Sequence, residues 1–170
     1  SAKLQAVDAL GPLNAYEAFM LQRLRGAAAL QEGDLVRAQA AFEAVLAAQR
    51  LTPAEQLQML ASMGQTLYRA KDYAAAAKWL TRYGDAGGDD AQVLALRAPA
   101  AYFSKDYATA RSLLLAATQA DADASRLTAL TTWRLLASSQ RQLGDDAGYR
   151  QSLRRMAVQH PQPALGAELV

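Results

Sequence analysis

The chain has 170 residues, 52% of them hydrophobic and 20% charged, with no cysteine, one histidine and, by count, 40 alanines. That length fits one domain or one repeat array, able to fold without covalent staples, and the missing cysteines and near-missing histidines exclude disulfides, thiolate zinc, a cysteine nucleophile and any site that needs two imidazoles. Eighteen basic against sixteen acidic residues give a net charge of +2, which does not imply a nucleic-acid partner; the six arginines from Arg126 onward read as solvated helix faces. No run approaches eighteen apolar residues, so no membrane span is expected. The opening Ser1-Ala2-Lys3, without an initiator methionine or an apolar signal region, reads as a processed or subcloned start.

In chain order, residues 1–13 are a short lead, and Asn14 is an N-cap before Ala15-Tyr16-Glu17. A turn falls at Gly33-Asp34 and a longer break at 49–52, after which Thr52-Pro53-Ala54-Glu55 forms a capping box with proline at the first helical position. Apolar residues then recur at three and four spacings, as in Leu57, Leu60, Ala61, Gly64 and Leu67, which predicts helix. Turns at Lys71-Asp72, Lys105-Asp106 and Gly144-Asp145 alternate with breaks at 84–90 and 119–125. The chain is therefore predicted to be all-α, in helical pairs.

The turn aspartates Asp34, Asp72, Asp106 and Asp145 recur at steps of 38, 34 and 39, the mark of a repeat. Eight residues before each stands Gly26, Gly64, Ala98 or Ala137; four after comes Ala38, Ala76, Ala110 or Tyr149; eight after comes Phe42, Leu80, Leu114 or Leu153. Small residues on facing helices permit close approach of the axes, and the aspartate can accept the free N–H groups of the second helix. The large residue is expected to fill the space between one pair and the next, because no pair can bury both its faces alone.

This spacing resembles the tetratricopeptide repeat, whose first-helix pattern reads as Leu60, Met63, Gly64 and Leu67, and again as Trp133, Leu136 and Ala137, with the closing proline at Pro161. The resemblance implies a right-handed α-solenoid of about four helical hairpins, over 14–50, 52–87, 89–120 and 124–161, followed by a tail at 162–170. Three departures are expected to matter. Arg97 and Pro99 fall in the first helix of the third repeat, where the proline removes an N–H bond at a cost of about 3 kcal/mol and should kink or shorten the helix. Gln22 and Arg25 stand at usually apolar positions, and Tyr149 should spread the last pair apart.

In such arrays the first helices line a concave groove, and the resemblance assigns its lining to Arg23, Leu30, Gln58, Gln65, Tyr68, Gln92, Tyr102, Arg134, Ser138 and Arg141. Tyrosines, glutamines and arginines suit an extended peptide, whose backbone needs partners along its length, and Arg134 with Arg141 suit an acidic peptide or carboxylate. The carboxylate clamp of chaperone-binding members is absent, since Arg23 with Ala27 and Ala61 with Gln65 replace its lysine and asparagine. Leu24-Arg25-Gly26, Lys71-Asp72-Tyr73 through Trp79, Arg82-Tyr83, Gly87-Gly88, Lys105-Asp106-Tyr107 and Gly148-Tyr149 to Pro161 are similar to bacterial members associated with the TonB–ExbB–ExbD system. That resemblance implies a periplasmic adaptor with a component of that system as partner; a cytoplasmic regulator or secretion chaperone of the same fold is the alternative.

Nothing points to an enzyme, a cofactor or a metal. Asp85-Ala86-Gly87-Gly88-Asp89-Asp90 lacks the Lys-Ser/Thr of a phosphate loop, and Asp121, Asp123 and Ser125 lack the glycine and glutamate that complete a calcium loop. Both segments are expected to end one helix and cap the next, and His160 to be a turn histidine. Trp133 is expected in the core, while Trp79 either packs between repeats or sits partly exposed. An uncapped solenoid end exposes apolar surface, so a homodimer through residues 160–170 is a further expectation.

Overall fold

The structure, a computed structural model, describes residues 13–161; the lead apart from Leu13, and the tail at 162–170, lie outside the described residues. Among the described residues every regular element is a helix: α1 (Ala15–Glu32), α2 (Leu35–Ala47), α3 (Pro53–Arg69), α4 (Tyr73–Asp85), α5 (Ala91–Leu94), α6 (Arg97–Phe103), α7 (Tyr107–Asp123), α8 (Leu130–Gln142) and α9 (Asp146–Gln159). They pair as α1 with α2, α3 with α4, α6 with α7 and α8 with α9, and successive pairs stack into an α-solenoid.

Local chemistry sets the boundaries. Asn14 and Thr52 each close a capping box, with Glu17 and Glu55 reaching back to the cap N–H. The four hairpin turns share one geometry. The residue before each aspartate is left-handed (Gly33 φ 75°, Lys71 φ 64°, Lys105 φ 68°, Gly144 φ 70°), and the aspartate N–H bonds the carbonyl five residues earlier at 2.9–3.0 Å. Each aspartate side chain then accepts the N–H three residues on, from Arg37, Ala75, Thr109 and Gly148.

Ala38, Ala76 and Ala110 are completely buried, as close helix approach requires. Two of the large residues one turn further on also pack within their own pairs, and Phe42 in addition borders the second hairpin beside Met59 and Met63. Phe42 and Leu80 fill space inside their own hairpins, against the glycines of α1 and α3: a Cβ on Gly26 would stand 2.6 Å from the Phe42 ring, and one on Gly64 2.7 Å from Leu80 Cδ2. Tyr149 is half-buried, with the Arg141 guanidinium 6.0 Å from its ring centroid. Trp79 and Trp133 are both 3% exposed, so Trp79 packs in the core.

The third hairpin departs most. Its first helix is broken into α5 and α6, and the break falls at Ala95–Leu96, ahead of Pro99. Because α6 restarts at Arg97, Pro99 occupies its third position, where an N–H would have no intrahelical acceptor anyway. The break thus removes most of the expected proline penalty. The buried apolar residues divide at this point into two clusters, one from Phe19 to Ala100 and the other from Ala101 to Met156.

Candidate interaction face

The residues assigned to the groove come together in three places along the first helices. At the N-terminal end, Arg23 and Leu30 of α1 and Gln58 of α3 line a cavity of about 230 Å³ floored by Phe42 and Met63. Arg23 Nη1 lies 3.4 Å from Glu55 Oε1 across it. The Glu55 carboxyl is held below the usual carboxylate range by the Thr52 backbone N–H and hydroxyl and, more weakly, by Arg23. At the C-terminal end, Arg134, Ser138 and Arg141 of α8 line a cavity of about 170 Å³ with Tyr149 of α9.

Between them the tyrosines belong to a run of five rings. Tyr68 packs edge-on against Tyr73 with centroids 5.3 Å apart, Tyr73 lies 4.8 Å from Phe103, Phe103 5.4 Å from Tyr102 and Tyr102 5.5 Å from Tyr107. Such tilted and edge-to-face contacts contribute about 0.5–1.5 kcal/mol each beyond area burial. The Tyr102 and Ser138 hydroxyls share a 2.7 Å hydrogen bond, which joins α6 to α8 and carries the run into the arginine patch. Burial first, and the Tyr73 hydroxyl second, push the Tyr68 phenol above its ordinary value. Phe103, 47% exposed, offers its ring to solvent.

Two assigned residues stay outside these groups. Gln65 is half-buried on α3 and its amide makes no hydrogen bond among the described residues, and the exposed Gln92 contributes only its backbone N–H to Asp90. Tyr73, Phe103 and Tyr107 were not assigned by sequence, although Tyr-x-x-Lys-Asp-Tyr occurs at both 68–73 and 102–107. That duplication was the available signal.

No family model and no curated protein matches the sequence. Among solved structures, the chain is similar to MamA from residue 41 to its end, from Desulfovibrio magneticus RS-1, with a TM-score of 0.55 and 15% identity over 90% of this chain and 82% of that one. The MamA RS-1 ArsTM double mutant gives the same values. The shared feature is the helical-repeat fold. At that identity the likeness is one of architecture, and it agrees with the tetratricopeptide-type spacing of the turns.

The remaining sequence features are structural. Asp121 accepts two bonds from Arg126, and Asp123 accepts the Gln119 amide at 2.7 Å, so the resemblance to a calcium loop resolves into helix-end contacts. That segment ends α7 but does not cap α8, whose N-cap Ala129 makes no side-chain bond. Asp90, by contrast, caps α5. His160 Nε2 lies 2.7 Å from the Thr128 carbonyl. Among the described residues no group of three or more His, Cys, Asp or Glu could hold a metal, and no helix is long and apolar enough to cross a membrane.

Proposed function

We propose that this chain is a non-enzymatic scaffold that binds an extended segment of a partner protein along its first helices. The observation that carries the reading is the continuous polar and aromatic face from Tyr68 through Tyr102 to Ser138, knitted together across three hairpins. An extended peptide has backbone donors and acceptors at every residue, and the hydroxyls and arginines of this face can serve as their partners. Arg134 and Arg141 favour a segment with acidic residues toward the α8 end. The placement as a periplasmic adaptor, with a component of the TonB–ExbB–ExbD system as partner, rests only on the resemblance in sequence of stretches such as Lys71-Asp72-Tyr73 and Lys105-Asp106-Tyr107.

Replacing Tyr68, Tyr102 and Arg134 together should weaken peptide binding about a hundredfold or more, since each removed contact contributes about 1–2 kcal/mol. Fluorescence anisotropy against partner-derived peptides measures this, and an unchanged affinity would remove the support for the face. Fractionation of the native protein tests the compartment separately: recovery from cytosol alone would discard the periplasmic adaptor in favour of a cytoplasmic regulator.

A further inference from the structure

Away from the peptide face, an open cleft of about 590 Å³ lies between the second helices α4 and α7, and Arg97 of α6 forms part of its lining. The corresponding positions of the second and fourth hairpins carry Met63 and Leu136, 1% and 0% exposed. In Arg97 a guanidinium thus stands, as in Arg25 of the first hairpin, at the position where the second and fourth hairpins bury an apolar side chain. Its Nε is buried without a hydrogen-bond partner, and no carboxylate of the described residues pairs with it. The residue as a whole is half-buried, so its guanidinium borders the cleft while Nε is covered; an Nε–H covered in this way lacks the acceptor that such a donor normally has.

The fold nevertheless makes room for it. α4 carries Gly84 in its last turn, and a Cβ there would stand 2.6 Å from Arg97 Nη1 and 2.9 Å from Cζ. Two further cations, Lys78 and Arg82, line the cleft, as do Glu43 and Asp106. Arg82 is engaged by Glu43 and stacked 5.1 Å over Trp79, while Asp106 gives one oxygen to the Thr109 N–H. Among the described residues the exposed Lys78 and the half-buried Arg97 are the lining cations without a carboxylate, and Ala77, Ala101 and Leu113 supply apolar wall.

We infer that this cleft is a second binding site, for a small organic oxyanion whose carboxylate or phosphate pairs with Arg97 and Lys78 while a compact apolar body lies against Ala101 and Leu113. A planar guanidinium matches two oxygens at once, and the missing acceptor is what the site lacks. The volume exceeds what an inorganic ion fills, which is why the ligand carries a body.

Calorimetric titration of the whole chain with benzoate, phenyl phosphate and inorganic phosphate, at fixed ionic strength, tests the site. Benzoate or phenyl phosphate should bind more tightly than inorganic phosphate, and the better of the two identifies the head group. Arg97→Met restores the residue type of the second hairpin and should weaken that binding about tenfold or more. Gly84→Ala must displace the guanidinium and should weaken it too, which keeps the test decisive if Arg97→Met fails to fold. The proposal is overturned if neither organic anion binds, if inorganic phosphate binds as well as they do, or if the variants retain wild-type affinity.

Discussion

The first two hairpins and the last two follow one turn geometry but solve the packing problem differently. In α1–α4 a glycine on the first helix receives a large side chain from the second, Gly26 taking Phe42 and Gly64 taking Leu80. In α6–α9 alanines stand at those positions, and polar groups enter the interior: Thr128, Ser139, Gln140 and Ser152 are the buried polar residues of the described chain. Gln140 stands where Ala29, Leu67 and Ala101 are buried in the other hairpins. It is accommodated by a 2.8 Å bond from the Ser152 hydroxyl, and Ser139 donates to the Leu135 carbonyl at 2.8 Å. A repeat thus preserves its turns strictly while its core is refilled, here by Gln140, Ser139 and Ser152, whose side chains each find a hydrogen-bond partner.

The largest expected effect tests that contrast directly. Leu80 is 0% exposed in the glycine-seated half, whereas its counterpart Leu153 is half-buried. Leu80→Ala should destabilise the chain by about 3–4 kcal/mol and Leu153→Ala by about 1–2 kcal/mol, as lost transfer energy and residual cavity scale with burial. Urea unfolding followed by circular dichroism measures both. Equal losses would mean that the two halves are packed alike.

What was legible in the sequence follows the same division between local and long-range chemistry. The four aspartate turns, the N-cap at Asn14 and the capping box at Thr52 rest on residues within one turn of each other, so their spacing carried them, whereas the reach of Glu17 back to Asn14 came from the structure. The fit of Arg97 against Gly84 was not legible, because it depends on where the break after Leu94 aims a side chain across a neighbouring hairpin. Arg97 could be recognised as a departure from the repeat, but its use could not. The aromatic run was half legible: Tyr68 and Tyr102 occupy first-helix positions, while Tyr73 and Tyr107 begin second helices and meet them only after the turns close.

A smaller effect separates satisfied from unsatisfied polar burial in the second half. Ser152→Ala alone should cost about 1–2 kcal/mol, because it leaves the side-chain amide oxygen of Gln140, Oε1, without its donor. Gln140→Leu with Ser152→Ala should recover most of that loss, since an apolar pair matches what the first three hairpins place at residue 140's position. A double-mutant cycle in urea checks the coupling; additive losses would show that the two groups do not depend on each other.

The turns offer a change of opposite sign. Gly33 and Gly144 hold left-handed backbone freely, but Lys71 and Lys105 hold it with a Cβ present. Lys71→Gly and Lys105→Gly should each stabilise the chain by about 0.5–1 kcal/mol, the steric relief exceeding the added freedom of the unfolded chain. Thermal unfolding would show a rise in Tm for both, and a fall would mean that the lysine side chains hold the turns by contacts of their own.

The smallest effect concerns Tyr68 and is read best by spectroscopy. Its phenol is pushed above the ordinary value near 10.0, chiefly by burial and secondarily by Tyr73. The folded state therefore favours the neutral phenol, so the associated stability is fully present below the unfolded value and is lost as pH rises through the higher folded one. Ultraviolet titration at the phenolate band, with Tyr68→Phe used to assign the transition, should place Tyr68 later than an exposed tyrosine. Tyr73→Phe should bring it back only part of the way, because the burial contributed by the neighbouring rings persists when one hydroxyl is removed. A complete return would make the Tyr73 hydroxyl the dominant cause, and would describe the ring run as a pair of interacting phenols instead of a desolvated aromatic surface.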